Sequence, residues 1–189
     1  LNLLHNRITF EDDVVEQADT VIEDETVDAP KRNPWTDPED MHYQYLQGKR
    51  CLNEESEDFD PEEAVHWLTL SAEQGFDIAM YRLGKMYLQG DLIEKDLGQA
   101  VYWLQKADEK NNQFAQYLLG KLYSKSEDVP PNYSLAEKMF EKAVAQGSSY
   151  AMYSLAKMHL KGLVTNSDIA YAVHLLTEAA NRGNQWAEY

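Results

Sequence analysis

The sequence predicts an all-α protein, an α/α superhelical solenoid, and three observations carry that prediction. Residue types recur every 36 positions: Ala79, Ala115, Ala151 and Ala187 form one column, and Tyr45, Tyr81, Tyr117, Tyr153 and Tyr189 form another. Two further columns keep the same register, Ala64, Ala100, Ala136 and Ala172, and Gly75, Asn111, Gly147 and Gly183. A fixed period of this length marks stacked repeats. Within one period, Ala79, Leu83, Gly84 and Tyr87 recur at helical spacing, and Ala100, Trp103, Leu104 and Ala107 do so again. Each unit therefore reads as two helices, A and B. The register gives units at 40–75, 76–111, 112–147 and 148–183, a partial unit at 184–189, and a right-handed superhelix as the expected stack.

Helix A is expected to start after Asp40, Asn112, Ser148 and Asn184, whose side chains accept hydrogen bonds from first-turn N–H groups; Phe76 breaks that column. Helix B is expected to start after Asp60, Asp96, Asn132 and Asp168. Pro61 fits the first helical position, where a missing N–H costs nothing, and Glu63 and Gln99 complete a capping-box pattern. Gly75, Asn111, Gly147 and Gly183 then supply residues that tolerate a left-handed turn.

Two small-residue columns explain how A and B meet. Gly48, Gly84, Gly120 and Ala156 lie on helix A, and the Ala64 column lies on helix B. Missing side chains let the helices approach, with Trp67, Trp103, Leu68, Leu104 and Phe140 filling the space left. One unit cannot bury its apolar face alone, so the stack coheres as a whole.

Composition narrows the function classes. The 189 residues carry a net charge of −16, and residues 1–40 hold 12 acids against 3 bases. That balance disfavours nucleic acid, whose binding depends on neutralising phosphates. No apolar run is long enough to span a bilayer. The sole cysteine, Cys51, excludes an internal disulfide and fits a reducing, cytoplasmic compartment. Both ends read as cut from a longer protein, which leaves a lost signal peptide open.

The run Ala79-Met80-Tyr81-Arg82-Leu83-Gly84-Lys85-Met86-Tyr87-Leu88-Gln89-Gly90 resembles helix A of a Sel1-like repeat. Ala100-Val101-Tyr102-Trp103-Leu104-Gln105-Lys106-Ala107 resembles its helix B. The resemblance recurs in register over residues 40–189. Departures are local: Pro130-Pro131 in the third loop, Cys51 and His159 in an aromatic column, and Asn111 in place of glycine. The resemblance implies a relative of tetratricopeptide repeats that acts as an adaptor or scaffold for protein complexes. Some secreted relatives pair two cysteines per repeat, which this chain cannot do.

No residue set calls for catalysis or a cofactor. His5, His42, His66, His159 and His174 make no metal-ligand spacing. His159 sits in the column of Tyr87 and Tyr123 and reads as a packing residue. No glycine-rich phosphate loop is present, and Glu54-Glu55-Ser56-Glu57-Asp58 reads as solvated loop. By analogy with tetratricopeptide repeats, three helix A columns are expected to line a concave groove. They are Tyr45, Tyr81, Tyr117 and Tyr153; Lys49, Lys85, Lys121 and Lys157; and Ile78, Phe114 and Tyr150 with His42 and Trp186. Tyrosine offers contact area at low entropy cost, and lysine offers a charge for a carboxylate. The expected function is non-enzymatic binding of a peptide or protein along this face.

Residues 1–39 lie outside the repeat. Val14, Ala18, Val21 and Ile22 share one face of a short amphipathic helix within Glu11–Glu25, expected to cap the first unit. Ala29-Pro30-Lys31-Arg32-Asn33-Pro34 reads as an extended linker. This stretch is similar to the link ahead of Sel1-like repeats in some plasmid-mobilisation relaxases, without a diagnostic motif. The second expectation is thus a structural or dimerisation arm of a larger enzyme.

Overall fold

The computed structural model describes residues 35–125, 127–184 and 187. Eight helices run through them: α1 (Met41–Cys51), α2 (Pro61–Glu73), α3 (Asp77–Gln89), α4 (Leu97–Glu109), α5 (Gln113–Lys125), α6 (Tyr133–Ala145), α7 (Ser149–Leu160) and α8 (Ile169–Asn181). Odd-numbered helices are the A helices and even-numbered ones the B helices. Each A helix packs most extensively on its own B helix, and each B helix packs next on the following A helix. α3 also touches α5, and α5 touches α7, so the A helices form the closely spaced row of the stack. The expected capping helix within Glu11–Glu25 lies outside the described residues.

The starts and stops follow the sequence signals. Asp60, Asp96, Asn132 and Asp168 each accept a hydrogen bond from a first-turn backbone N–H of their B helix. Asp40, Asn112 and Ser148 do the same for A helices, whereas Phe76 makes no side-chain cap. The turns after the B helices pass through the left-handed region at Gly75, Asn111, Gly147 and Gly183, with φ of 100°, 64°, 89° and 78°. Asn111 is the one non-glycine described residue with positive φ, a conformation asparagine tolerates better than most residues.

The A–B contact depends on absent side chains. A Cβ at Gly84 would lie 2.6 Å from Leu104 Cγ and 3.1 Å from the Ala100 carbonyl oxygen. At Gly48 it would lie 2.7 Å from Leu68 Cγ, and at Gly120 2.6 Å from the Phe140 ring. Ala64, Ala100, Ala136 and Ala172 are fully buried opposite them. No helix among the described residues is long and apolar enough to cross a membrane.

Candidate functional site

The Tyr, Lys and Ile78/Phe114/Tyr150 columns all fall on the A helices, but they do not form one uniform groove. The Tyr45 and Tyr81 rings are only 1% and 3% exposed. The expectation that the whole tyrosine column lies open therefore fails at these two positions. The cause is the next unit: the Tyr45 ring meets Phe76 edge-on at 5.1 Å, and the Tyr81 ring meets Phe114 at 5.7 Å. An inner helix packs against its own B helix and also against the following unit, so fewer of its faces reach solvent. The Tyr45 hydroxyl accepts a hydrogen bond from Arg82 Nε at 2.9 Å, which satisfies the phenol despite its burial.

Towards the C-terminal end the face opens. Phe114, Tyr117, Tyr150 and Tyr153 are half-buried. Phe114, Tyr117 and Tyr150 line a cleft of about 280 Å³ together with Gln113, Gln146, Gly147, Ser148, Ser149 and Arg182. The Tyr117 and Tyr150 rings lie 6.0 Å apart. In the column of Phe76, which covers Tyr45, stand Asn112 and then Ser148, and Ser148 lines the cleft beside Tyr117. The small serine leaves space over Tyr117 that phenylalanine fills over Tyr45. The Arg182 guanidinium borders the cleft and donates to the Gly147 carbonyl at 3.4 Å.

The lysine column runs beside these aromatics. Lys121 lies 5.8 Å from the centre of the Tyr117 ring, and Lys157 lies 5.2 Å from that of Tyr153. Lys85 is half-buried and Lys49 is exposed. One turn beyond Lys121 and Lys157 stand Lys125 and Lys161, which the sequence reading did not single out. Burial, followed by the charges of Lys157, Lys161 and Lys121, pushes the Lys125 ammonium below its ordinary pKa. Four like charges thus share one corner of a strongly acidic chain. The pairing was readable from the sequence, since each lysine is followed by another four residues later on the same helix face.

A polar clasp at the unit boundaries was also missed. Gln116 is fully buried, and its Nε2 donates to Asp108 Oδ1 at 3.0 Å and to Asn111 Oδ1 at 3.2 Å. Gln146 Nε2 donates to Gln116 Oε1 at 2.7 Å. In the first unit Gln74 likewise donates to Gln44 Oε1 at 2.8 Å and to the Glu39 carbonyl at 2.9 Å. Units two and four place Met80 and Met152 where Gln44 and Gln116 stand, and Lys110 and Arg182 where Gln74 and Gln146 stand. The alternating column was visible in the sequence, but only at a spacing of 72.

His159 is 7% exposed and packs edge-on against the Tyr171 ring at 5.2 Å, in keeping with a packing residue. Burial, with the nearby charge of Glu141, raises the pKa of the Tyr171 phenol.

With this geometry in hand, comparison with known proteins finds four consecutive matches to the Sel1 repeat family model, at residues 45–76, 77–112, 113–148 and 149–184. No curated protein matches the sequence. Among solved structures, a Sel1 repeat protein from Oxalobacter formigenes is similar over 81% of this chain and 64% of its own, with 24% identity and a TM-score of 0.73. A protective antigen of uropathogenic Escherichia coli aligns over 79% of this chain and 40% of its own, at 22% identity and a TM-score of 0.41. Cysteine-rich protein B of Helicobacter pylori aligns over 61% of this chain and 95% of its own, at 27% identity and a TM-score of 0.48. The chain thus spans less than two thirds of the length of the first two.

Proposed function

Because this chain belongs to the Sel1 repeat family, whose members are generally protein–protein interaction modules, we propose that it binds a peptide or protein segment along its A-helix face without catalysing a reaction. The observation that carries this reading is the cleft where Phe114, Tyr117 and Tyr150 meet Gln146 and Arg182. Aromatic rings give rigid contact area, while amide and guanidinium groups fix the orientation of a backbone or a carboxylate. Tyr153, Lys121 and Lys157 extend the surface along α5 and α7. Ile78, Lys49 and Lys85 would continue it towards the first units, whereas buried Tyr45 and Tyr81 would support it from beneath. The relatives described above lend no support to an arm of a larger enzyme.

Selection of peptides from a displayed library on the intact protein tests the proposal. Selected peptides should lose about tenfold or more in affinity on Tyr150→Ala or Arg182→Ala. They should be indifferent to Tyr102→Ala, which removes a half-exposed ring from a B helix. Peptides that bind all three variants as well as the parent would overturn the reading.

A further inference from the structure

The last two A helices each carry a tyrosine and two lysines at a spacing of four. They are Tyr117, Lys121 and Lys125 on α5, and Tyr153, Lys157 and the C-cap Lys161 on α7. That spacing keeps each trio on one side of its helix. The two helices touch, and the Tyr117 and Tyr150 rings meet across them at 6.0 Å. Lys125 and Lys161 are exposed, while Lys121 and Lys157 lie half-buried beside their tyrosine rings. Partial desolvation, then the charges of Lys157, Lys161 and Lys121, lowers the Lys125 pKa, so the other three ammonium groups lie within electrostatic reach of it. Among the described residues, Lys125, Lys157 and Lys161 form no ion pair with a carboxylate. The outer lysine is confined to these two units, because the same column holds Asn53 in the first and Gln89 in the second. The helix macrodipole favours a cation at one helix end. It does not account for four crowded across two helices, in the same two units whose residues line the cleft.

We propose that the corner formed by Lys121, Lys125, Lys157 and Lys161 recognises an acidic segment of a partner protein, one that runs on from the cleft along the α5–α7 seam. The proposal rests on the reading that the A-helix face binds a peptide, and it names the chemistry of that peptide. Charge selects the occupant. A run of aspartates or glutamates is repelled by a chain of net charge −16 and attracted at this corner, which fixes where the segment docks and which way it runs. Geometry sets the spacing. At about 1.5 Å of rise per residue, the step from Tyr117 to Lys125 covers about 12 Å along the helix. An extended segment covers that distance in about four residues. The carboxylates should therefore begin a few residues beyond the aromatic or apolar side chain that fills the cleft. A nucleic acid is a poorer fit, because its phosphates continue past this corner over an acidic surface.

Fluorescence anisotropy with two labelled synthetic peptides tests this on the whole chain. Each peptide carries one tryptophan, a short glycine-serine spacer and then a run of glutamates in one peptide or glutamines in the other. The glutamate peptide should bind about tenfold or more tighter than the glutamine peptide, and added salt should narrow the gap. Lys125→Glu/Lys161→Glu should erase the gap. Lys125→Gln/Lys161→Gln, which installs the residue found at Gln89 in the second unit, should remove most of it. Lys106→Glu/Lys138→Glu, on the B helices, should leave it intact. Equal binding of the two peptides would overturn the proposal, as would a gap that survives reversal of Lys125 and Lys161. So would displacement of the glutamate peptide by a single-stranded oligonucleotide or by phosphatidylserine vesicles at a lower charge concentration than the unlabelled peptide needs. The outcomes also separate this proposal from the reading beneath it. Two peptides that bind equally and are both weakened by Tyr150→Ala would sink the lysine assignment and leave the cleft standing. A gap erased by lysine reversal, with both peptides indifferent to Tyr150→Ala and Arg182→Ala, would keep the lysine corner and sink the cleft.

Discussion

The backbone N–H of Asp168 donates to the Nδ1 of His159 at 3.1 Å. In the other three units the corresponding cap amide reaches the backbone carbonyl nine residues earlier: Asp60 to Cys51 at 2.9 Å, Asp96 to Tyr87 at 3.0 Å, and Asn132 to Tyr123 at 2.8 Å. In the fourth unit the His159 carbonyl instead accepts from the Gly162 amide at 3.1 Å, where the chain turns through a φ of 64°. The imidazole supplies the acceptor that the backbone no longer offers.

His159→Phe keeps a ring at this position and removes the acceptor. It should cost about 1–3 kcal/mol, the penalty for leaving a part-buried amide unsatisfied. Hydrogen exchange checks it directly: the Asp168 amide should lose protection in His159→Phe while the Asp96 amide keeps its own. Equal protection in parent and variant would assign the ring to packing alone.

Gly84 should not tolerate even one methyl group. Gly84→Ala places a Cβ 2.6 Å from Leu104 Cγ, and overpacking of this kind costs about 1–3 kcal/mol. Gly84→Leu and Ala100→Leu should cost as much or more. Pairing Gly84→Ala with Leu104→Ala should recover part of the loss, because the leucine branch is what the new methyl strikes. Additive destabilisation of the pair in chemical denaturation would contradict this account.

The clasp of Gln116 and Gln146 predicts an asymmetry between single and double changes. Gln116→Met removes the acceptor of the 2.7 Å bond from Gln146 and the donor to Asp108 and Asn111. A loss of about 1–3 kcal/mol should follow. Gln116→Met together with Gln146→Arg rebuilds the combination seen at Met152 and Arg182, and should be closer to the parent than Gln116→Met alone. A double variant no better than the single would mean that the two combinations are not interchangeable between units.

Cys51 is 6% exposed, and its thiol pKa is raised first by burial and then by the charge of Glu63. A raised folded-state value favours the thiol, so its contribution to stability is intact below the ordinary thiol pKa and declines as pH rises above it. Alkylation near neutral pH should therefore be at least about tenfold slower than in the denatured chain, since the thiolate is the nucleophile. Comparable rates in the two states would place the thiol in solvent.

The fold was legible because every helix but α3 announces itself twice, by an apolar stripe and by a cap. Asp60, Asp96, Asn132 and Asp168 mark the B starts in the sequence and cap them in the structure. The site was legible only in part. Spacing identifies the side of helix A on which Tyr81 lies, but not whether the next unit covers it, and that is decided by Phe114 from 33 residues further on. The open cleft arises from a small residue, Ser148, in a column read only for its capping role. The 36-residue register places Gly162 with Gly90, also left-handed, but does not show that the Gly162 amide takes the His159 carbonyl whereas the Gly90 amide takes the Met86 carbonyl.

The alternation of Gln44, Met80, Gln116 and Met152 gives the architecture a grammar of two words. Because the clasp of one unit grips the turn of the unit before it, as Gln146 grips Asn111 and Arg182 grips Gly147, the junctions occur in two kinds that take turns along the stack. Excising 72 residues between equivalent points would splice like to like and leave every remaining junction familiar. Excising 36 would force a junction this chain never makes. The natural step by which such a protein lengthens or shortens is therefore a pair of units, and engineered variants of altered length should be built in pairs.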